Sequence, residues 1–316
     1  MVNLPRISVV IPLYNKRATV GRAIRSVLSQ TVADFEVVVV DDGSTDGGLE
    51  VVRAFVDPRI RSVIQTNEGV SAARNRGINE SSCDLIAFLD ADDEWLSTFL
   101  DGVLSLKSMF PEAGIYATSY FLQSSDGLRR ERVIRGLENS TEQCLLNDYF
   151  SIASRSNPPV HSSSVAAWKG DLLAIGGFPV GVRAGEDLLT WARLAACKPV
   201  ALFQAPLAVF HQDPGTAGGI PSRIPDPSDS VGRDLRIILE TAPAARRPSM
   251  RRYVGLWYKM RCSIYLGLGQ RRHAVRECAK ALLLWPGNLR IYLLMMACAL
   301  PTRSVQRLRS SRSQKQ

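Results

Sequence analysis

The first hundred residues of this 316-residue chain predict an α/β fold with a doubly wound, mainly parallel sheet flanked by helices. Three observations lead there. Short apolar runs rich in β-branched residues alternate with segments whose apolar residues fall at helical spacing. Polar turn residues bound each run. The polar clusters that follow the first, second and fourth runs all fall at one end of the implied sheet, where ligands bind in open α/β folds.

The elements follow in order. "ISVVIPLYN" (residues 7–15) reads as a parallel strand covered on both faces, with Pro12 ending its ladder pairing. Val20, Ala23, Ile24, Val27 and Leu28 then give a helix with one apolar stripe. "FEVVVVDDGS" is a second strand, "LEVVRAFV" a helix, "RSVIQT" a third strand, "VSAARNRGI" a helix and "DLIAFLD" a fourth strand. After Trp95 the regularity weakens, and residues 110–157 read as mixed structure.

A Pro/Gly/Ser-rich run (residues 213–230) reads as a loop or linker leading to a helical C-terminal part. There "LWYKMRCSIYLGLGQRRHAVRECAKALLLWPGN" has the pattern of one tetratricopeptide-like hairpin, with Gly269 in the turn and Pro286 after the second helix. A single unit of that kind must dock its apolar face on something else. The expected division is a catalytic domain over residues 1–225 and a basic helical extension over 226–316, ending in a disordered tail.

Composition narrows the function classes. With 46% hydrophobic and 22% charged residues the chain can bury a sizeable core. Its six cysteines form no CxxC pair, against a zinc ribbon or a disulfide framework. No signal peptide is evident in "MVNLPRISVV", so a cytoplasmic location is expected. "LRIYLLMMACAL" is too short to span a bilayer and reads as a packed or interfacial helix. The net charge of +9 concentrates in the last third, a pattern suited to peripheral contact with anionic membrane or to a solvated surface. No nucleic acid is expected as a partner.

The chemistry gathers in a few places. "AFLDADDEW" runs a strand into Asp90, Asp92 and Asp93, carboxylates close enough to repel one another, so that a positive or strongly hydrogen-bonding group is expected among them. In a nearly extended segment Asp90 and Asp92, flanking Ala91, point to one side and can serve one site. Mg²⁺ or Mn²⁺ suits such hard oxygens. Asp93 and Glu94 have a simpler reading as the acidic start of the next helix. Pro12, Tyr14 and Asn15 stand where the first strand meets the cleft, and Tyr14 could line a nucleoside pocket or lie in the core. Asp41 closes the second strand, whereas Asp42, Ser44 and Asp46 fit a turn and helix cap. Arg74 could reach a base or diphosphate, or form an ordinary helix-surface ion pair. Glu186 and Asp187 open a helix, so only one of them can face a cleft squarely, and Asp187 shares its face with Trp191.

Together "VVIPLYN", "VVDDGSTD", "NEGVSAARNRG", "IAFLDADDEW" and "GEDLLTWARL", in that order, resemble the inverting glycosyltransferases of family 2 over residues 7–211. The resemblance implies a GT-A fold, a nucleoside diphosphate sugar donor, with uridine the expected nucleoside, and a divalent metal. It implies that Asp92 binds the metal, that Asp90 holds the ribose or a metal-bound water, and that Asp41 accepts a hydrogen bond from the base ring. It also implies that His211 meets the metal or the diphosphate. The family motif places the general base in the Glu186–Asp187 pair, with Asp187 favoured. "GGFP" departs from the family pattern, since Pro179 stands where an acidic residue often follows. His161 and His273 receive no catalytic role.

The expected function is inverting transfer of a sugar, of the hexosyltransferase class, to a hydroxyl on a glycan or lipid-linked glycan, in surface polysaccharide or glycolipid assembly. The alternatives are a non-catalytic nucleotide-sugar-binding protein of the same fold and a metal-dependent nucleotidyltransferase.

Overall fold

The computed structural model describes residues 6–138, 140–155, 158–212 and 225–300. The chain packs as two compact units, residues 1–211 and 212–316. Most of the Pro/Gly/Ser-rich run and the expected disordered tail lie outside the described residues.

The first unit opens with β1 (Ile7–Leu13), α1 (Val20–Leu28), β2 (Phe35–Asp41), α2 (Gly48–Arg53), β3 (Ile60–Ile64), α3 (Val70–Glu80) and β4 (Leu85–Phe88). These strands form the parallel array β3-β2-β1-β4. Alternate residues explain the unbroken apolar runs: Ile7, Val9, Ile11, Val37 and Val39 pack with Ile24 and Val27 of α1, while Val38 and Val40 pack with Ala73 of α3. With a helix on each face, β1 is buried along its whole length and β2 nearly so.

Pro12 does not end the ladder. Pairing to β2 continues through Pro12↔Val40 and Leu13↔Asp41. The carbonyl of Val10 accepts from the Leu89 amide, and that of Leu13 from the Asp42 amide. Alternation along a parallel strand therefore turns Pro12 toward β4, whose pairing with β1 stops at Phe88. The N–H that proline lacks has no ladder partner to lose.

The rest of the unit comprises β5 (Glu94–Trp95), α4 (Phe99–Met109), β6 (Ile115–Gln123), β7 (Arg129–Glu131), β8 (Gln143–Leu145), α5 (Tyr149–Arg155), β9 (Val165–Trp168), α6 (Lys169–Ala174), α7 (Glu186–Cys197) and β10 (Val200–His211). β9 runs antiparallel between β4 and β6, and β10 extends the sheet from β6 to β5. The result is a mixed, mainly parallel sheet. Asp93 and Glu94 do not begin a helix. Asp93 is fully buried, Glu94 enters β5, and the next helix starts at Phe99, because pairing of β5 with Ala208 and Val209 of β10 extends the chain here.

The second unit is helical among the described residues: α8 (Ser230–Thr241), α9 (Arg247–Gly267), α10 (Arg271–Leu284) and α11 (Leu289–Ala299). α9 and α10 form the hairpin, turning at Gly269 with φ of +73°, a value that costs glycine no steric strain. Inside it Arg261 donates to Glu277 at 2.7 Å and to the carbonyl of Asp226 at 3.0 Å, and approaches Asp229 at 3.5 Å. The Trp257 indole donates to Asp229 at 2.9 Å, and the Tyr265 hydroxyl to the Pro225 carbonyl at 3.0 Å. No described helix is long and apolar enough to cross a membrane.

α3 lies close on β1 because Gly77 has no side chain. A Cβ there would come within 2.3 Å of Val10 Cγ1. Gly77→Ala is expected to destabilise the protein by about 1–3 kcal/mol through overpacking, read as a lower urea midpoint at unchanged m. An unchanged midpoint would show that this contact does not limit the packing.

Candidate active site

The ends of β1, β2 and β4 bring the predicted clusters together. Asn15, at φ of +50°, receives the Thr45 amide on its Oδ1 at 2.9 Å, and its own amide donates to Ser44 Oγ at 3.1 Å. This ties the loop after β1 to the loop after β2. Tyr14 is 49% exposed, so its ring is not in the core. Asp41 is buried, and one carboxylate oxygen receives the Ser44 amide at 3.2 Å. Asp42 is fully occupied with structure, accepting from Gln65 Nε2 and from the amides of Glu68 and Gly69 at 2.7–2.9 Å, which fixes the entrance to α3.

Asp90 and Asp92 each meet a cation. Lys16 Nζ lies 2.6 Å from Asp92, and Arg22 donates to the Asp92 carbonyl. Arg74 donates through Nη2 to Asp90 at 2.7 Å, while its Nη1 lies 3.6 Å from Glu186. Arg74 is only 3% exposed, so it is no surface ion pair. Burial opposes its charge, but Asp90 and then Glu186 outweigh burial and hold the guanidinium above its ordinary value. Its Nε and Nη1 have no hydrogen-bond partner among the described residues. Buried N–H groups left this way favour an anionic acceptor.

Arg74 rests on an aromatic floor. Its guanidinium lies 5.1 Å from the Phe178 ring centre, and Phe178 packs edge-on against Phe88 and Trp191 at 5.3 and 5.5 Å. Asn75 holds the "GGFP" turn by both ends of its amide, donating to the Phe178 carbonyl and accepting the Phe178 amide, each at 2.8 Å. Gly177, at φ of +68°, lies where a Cβ would strike Asn75 Oδ1 at 2.4 Å. Pro179 follows this turn without displacing it.

Glu186 and Asp187 open α7 beside this arginine. Burial first, then Asp187, raises the Glu186 carboxyl above its ordinary value, with Arg74 drawing it back. Asp187 accepts from the Leu188 amide at 2.7 Å and from Ser162 Oγ at 3.4 Å. Next to Ser162, His161 packs at a tilt against Tyr120 and edge-on against Phe210. Burial keeps its imidazole below the ordinary value against the pull of Asp90 and Asp187.

Sequence reasoning missed the strut behind the D-x-D. Ser163 Oγ donates to Asp93 at 2.5 Å and accepts the Asp90 amide at 3.2 Å. The other Asp93 oxygen accepts the His211 amide at 3.0 Å. Burial, then Asp90 and Asp92, pushes the Asp93 carboxyl well up. The three adjacent carboxylates thus divide between open site and scaffold. Lys16 was also missed, although its place directly after Tyr14 and Asn15 was the available signal. The His211 ring faces Glu94, with Nε2 at 3.4 Å from Oε1. Among the described residues no group of three or more His, Cys, Asp or Glu side chains is arranged to hold a metal ion.

Arg74→Met is expected to cost about 3–5 kcal/mol at pH 7, because the part-buried Asp90 and Glu186 would lose their buried cation. Glu186 titrates above its unfolded value, so the penalty for its ionised form is absent below about pH 4.5 and grows as pH rises through the folded value. Denaturant melts of the variant should therefore approach those of wild type on acidification. A loss independent of pH would contradict this account.

Comparison with known proteins agrees with the geometry. Residues 8–157 match the family model described as glycosyl transferase family 2. An uncharacterized glycosyltransferase of Rickettsia bellii is 34% identical over 193 residues, covering 60% of this chain and 26% of the relative. The chain spans 26–34% of the length of such rickettsial relatives. Among solved structures, S. aureus TarS 1-349 in complex with UDP-GlcNAc superposes with a TM-score of 0.69 at 17% identity, over 98% of this chain and 92% of that one. The mannosyltransferase PcManGT of Pyrobaculum calidifontis, in complex with GDP-Man and Mn²⁺, gives 0.56 at 20% identity, over 98% and 85%. Residues 8–157 therefore form a glycosyl transferase family 2 domain, and the fold is GT-A.

Proposed function

We propose that this protein transfers a sugar, with inversion, from a nucleoside diphosphate sugar, UDP-linked, to a hydroxyl on a glycan or lipid-linked glycan in surface polysaccharide or glycolipid assembly. The observation that carries the reading is Arg74, buried between Asp90 and Glu186 with two nitrogens that lack hydrogen-bond partners among the described residues. It links the expected donor site to the expected base.

Each residue has a task in this reading. Asp41 accepts from the base ring, with Pro12, Tyr14 and Asn15 lining the nucleoside pocket beside it. Ala91 passes the chain between the two carboxylates of the D-x-D. Arg74 binds the diphosphate through its free N–H groups. Asp187, oriented by Ser162 and the Leu188 amide, takes the proton from the incoming hydroxyl. Glu186 is the second candidate for that proton, since burial raises its carboxyl above the ordinary value.

The donor set fits a divalent cation of the Mn²⁺ or Mg²⁺ type. Asp90 and Asp92 offer hard oxygens, and both already attract cationic side chains. These two would hold the ion, with His211 as a further candidate ligand. Bound there, the ion would neutralise charge on the departing diphosphate. The reading favours a cytoplasmic enzyme. A nucleotidyltransferase or a non-catalytic binder would use Glu186 only as a partner of Arg74 and would leave Asp187 without a chemical task.

Calorimetric titration with UDP, with and without Mn²⁺, tests the donor site. Metal-dependent binding that Asp92→Ala abolishes is expected, and binding indifferent to both would refute the site. Lys16→Met should tighten Mn²⁺ binding in the absence of nucleotide, by roughly tenfold, because an ammonium no longer competes for Asp92. Asp187→Asn should leave UDP affinity intact and lower the transfer rate by about 10²–10⁴-fold. If Glu186→Gln alone has that effect, the base is Glu186.

A further inference from the structure

We propose that the outer face of α11 is a docking surface for an anionic lipid bilayer. This surface belongs to the second unit and is independent of the glycosyl-transfer reading.

α11 is apolar from Leu289 to Ala299 except for Arg290. Ile291 and Cys298 are buried within the unit. Leu289, Tyr292, Leu293 and Met296 are 77%, 46%, 56% and 68% exposed, and the exposed Leu300 follows. Their spacing of three, four, seven and eleven residues from Leu289 places them on one stripe. A helix that is apolar all round is normally enclosed. This one turns a whole side outward, and an exposed contiguous apolar patch marks an interaction site.

Charge selects the occupant. Residues 212–316 contain 19 Lys and Arg against 6 Asp and Glu. Arg290 stands on α11 itself, close enough to Lys259 to help burial lower that ammonium. Arg271 donates to the Leu300 carbonyl at the far end of the helix. The sequence after Leu300 adds Arg303, Arg307, Arg309, Arg312 and Lys315 with no acidic residue. A second copy would bring two such basic units together within a screening length. An anionic lipid surface instead offers opposite charge beside an apolar layer. Tyr292, with an apolar ring and a polar tip, suits that boundary. α11 is too short to cross the bilayer and would lie in its plane.

The test is flotation of the full chain with vesicles of phosphatidylcholine alone and of phosphatidylcholine with phosphatidylglycerol. The compared variants are Leu293→Ser/Met296→Ser and, separately, Leu289→Ser. The wild type should float with the anionic vesicles and not with the neutral ones. The double variant should bind at least about tenfold more weakly, with unchanged circular dichroism, and Leu289→Ser should show a smaller loss. Failure of the wild type to bind anionic vesicles would overturn the proposal. So would equal binding by all variants, which would place the contact in the basic residues alone. A wild-type dimer in light scattering that the double variant dissociates would make a second copy the occupant.

Discussion

A buried guanidinium governs the first unit. Taking Arg74 out of water costs several kcal/mol unless negative groups accompany it, and the chain supplies two from distant segments, Asp90 after β4 and Glu186 at the start of α7. Once that pairing is required, the aromatic floor of Phe88, Phe178 and Trp191, the amide clasp of Asn75 and the glycine turn before α7 become ways of holding the two acids at the proper height. Glu186 also lies in the first turn of α7, where the helix end favours an anion. Structure and chemistry share these residues, so neither can be altered alone.

Two carboxylate clusters illustrate how environment separates residues of one type. Asp41 and Asp42 are neighbours at the end of β2, both buried, yet Asp42 spends its oxygens on the loop entering α3 while Asp41 takes a single amide. Asp93 is enclosed by Ser163 and the His211 amide, and Asp90 and Asp92 remain partly exposed beside cations. Burial with neutral donors makes a carboxyl a strut, whereas exposure beside a cation keeps it available.

Much of this was legible in the sequence, for a physical reason. The β1 to β4 segments are local periodic signals, and a parallel sheet collects their C-terminal ends without any further information, so Asn15, Asp41, Arg74, Asp90 and Asp92 could be assigned to one region. What escaped depends on pairing across long stretches of chain. Neither Ser163 nor Asp93 has a local pattern that announces their contact, and β5 forms only because β10 passes beside it. Pro12 was misjudged because the cost of a missing N–H depends on which neighbour it faces, a matter of register rather than composition. The hairpin of α9 and α10 was readable from spacing and Gly269, but its internal ions were not, since Arg261 and Glu277 look like ordinary helix-surface charges.

Those ions bear on how the second unit could be inherited or transplanted. Arg261 is satisfied jointly by Glu277 on α10 and by the carbonyl of Asp226 ahead of α8, with Asp229 close by, while Tyr265 reaches the Pro225 carbonyl. The short segment before α8 is thus a keystone rather than a connector. A recombination event or a fusion that joined new sequence inside residues 225–229 would take away the carboxylate to which Trp257 donates and which Arg261 approaches in the hairpin interior. Viable exchange of this module among related chains is therefore confined to junctions that carry the keystone along with the helices.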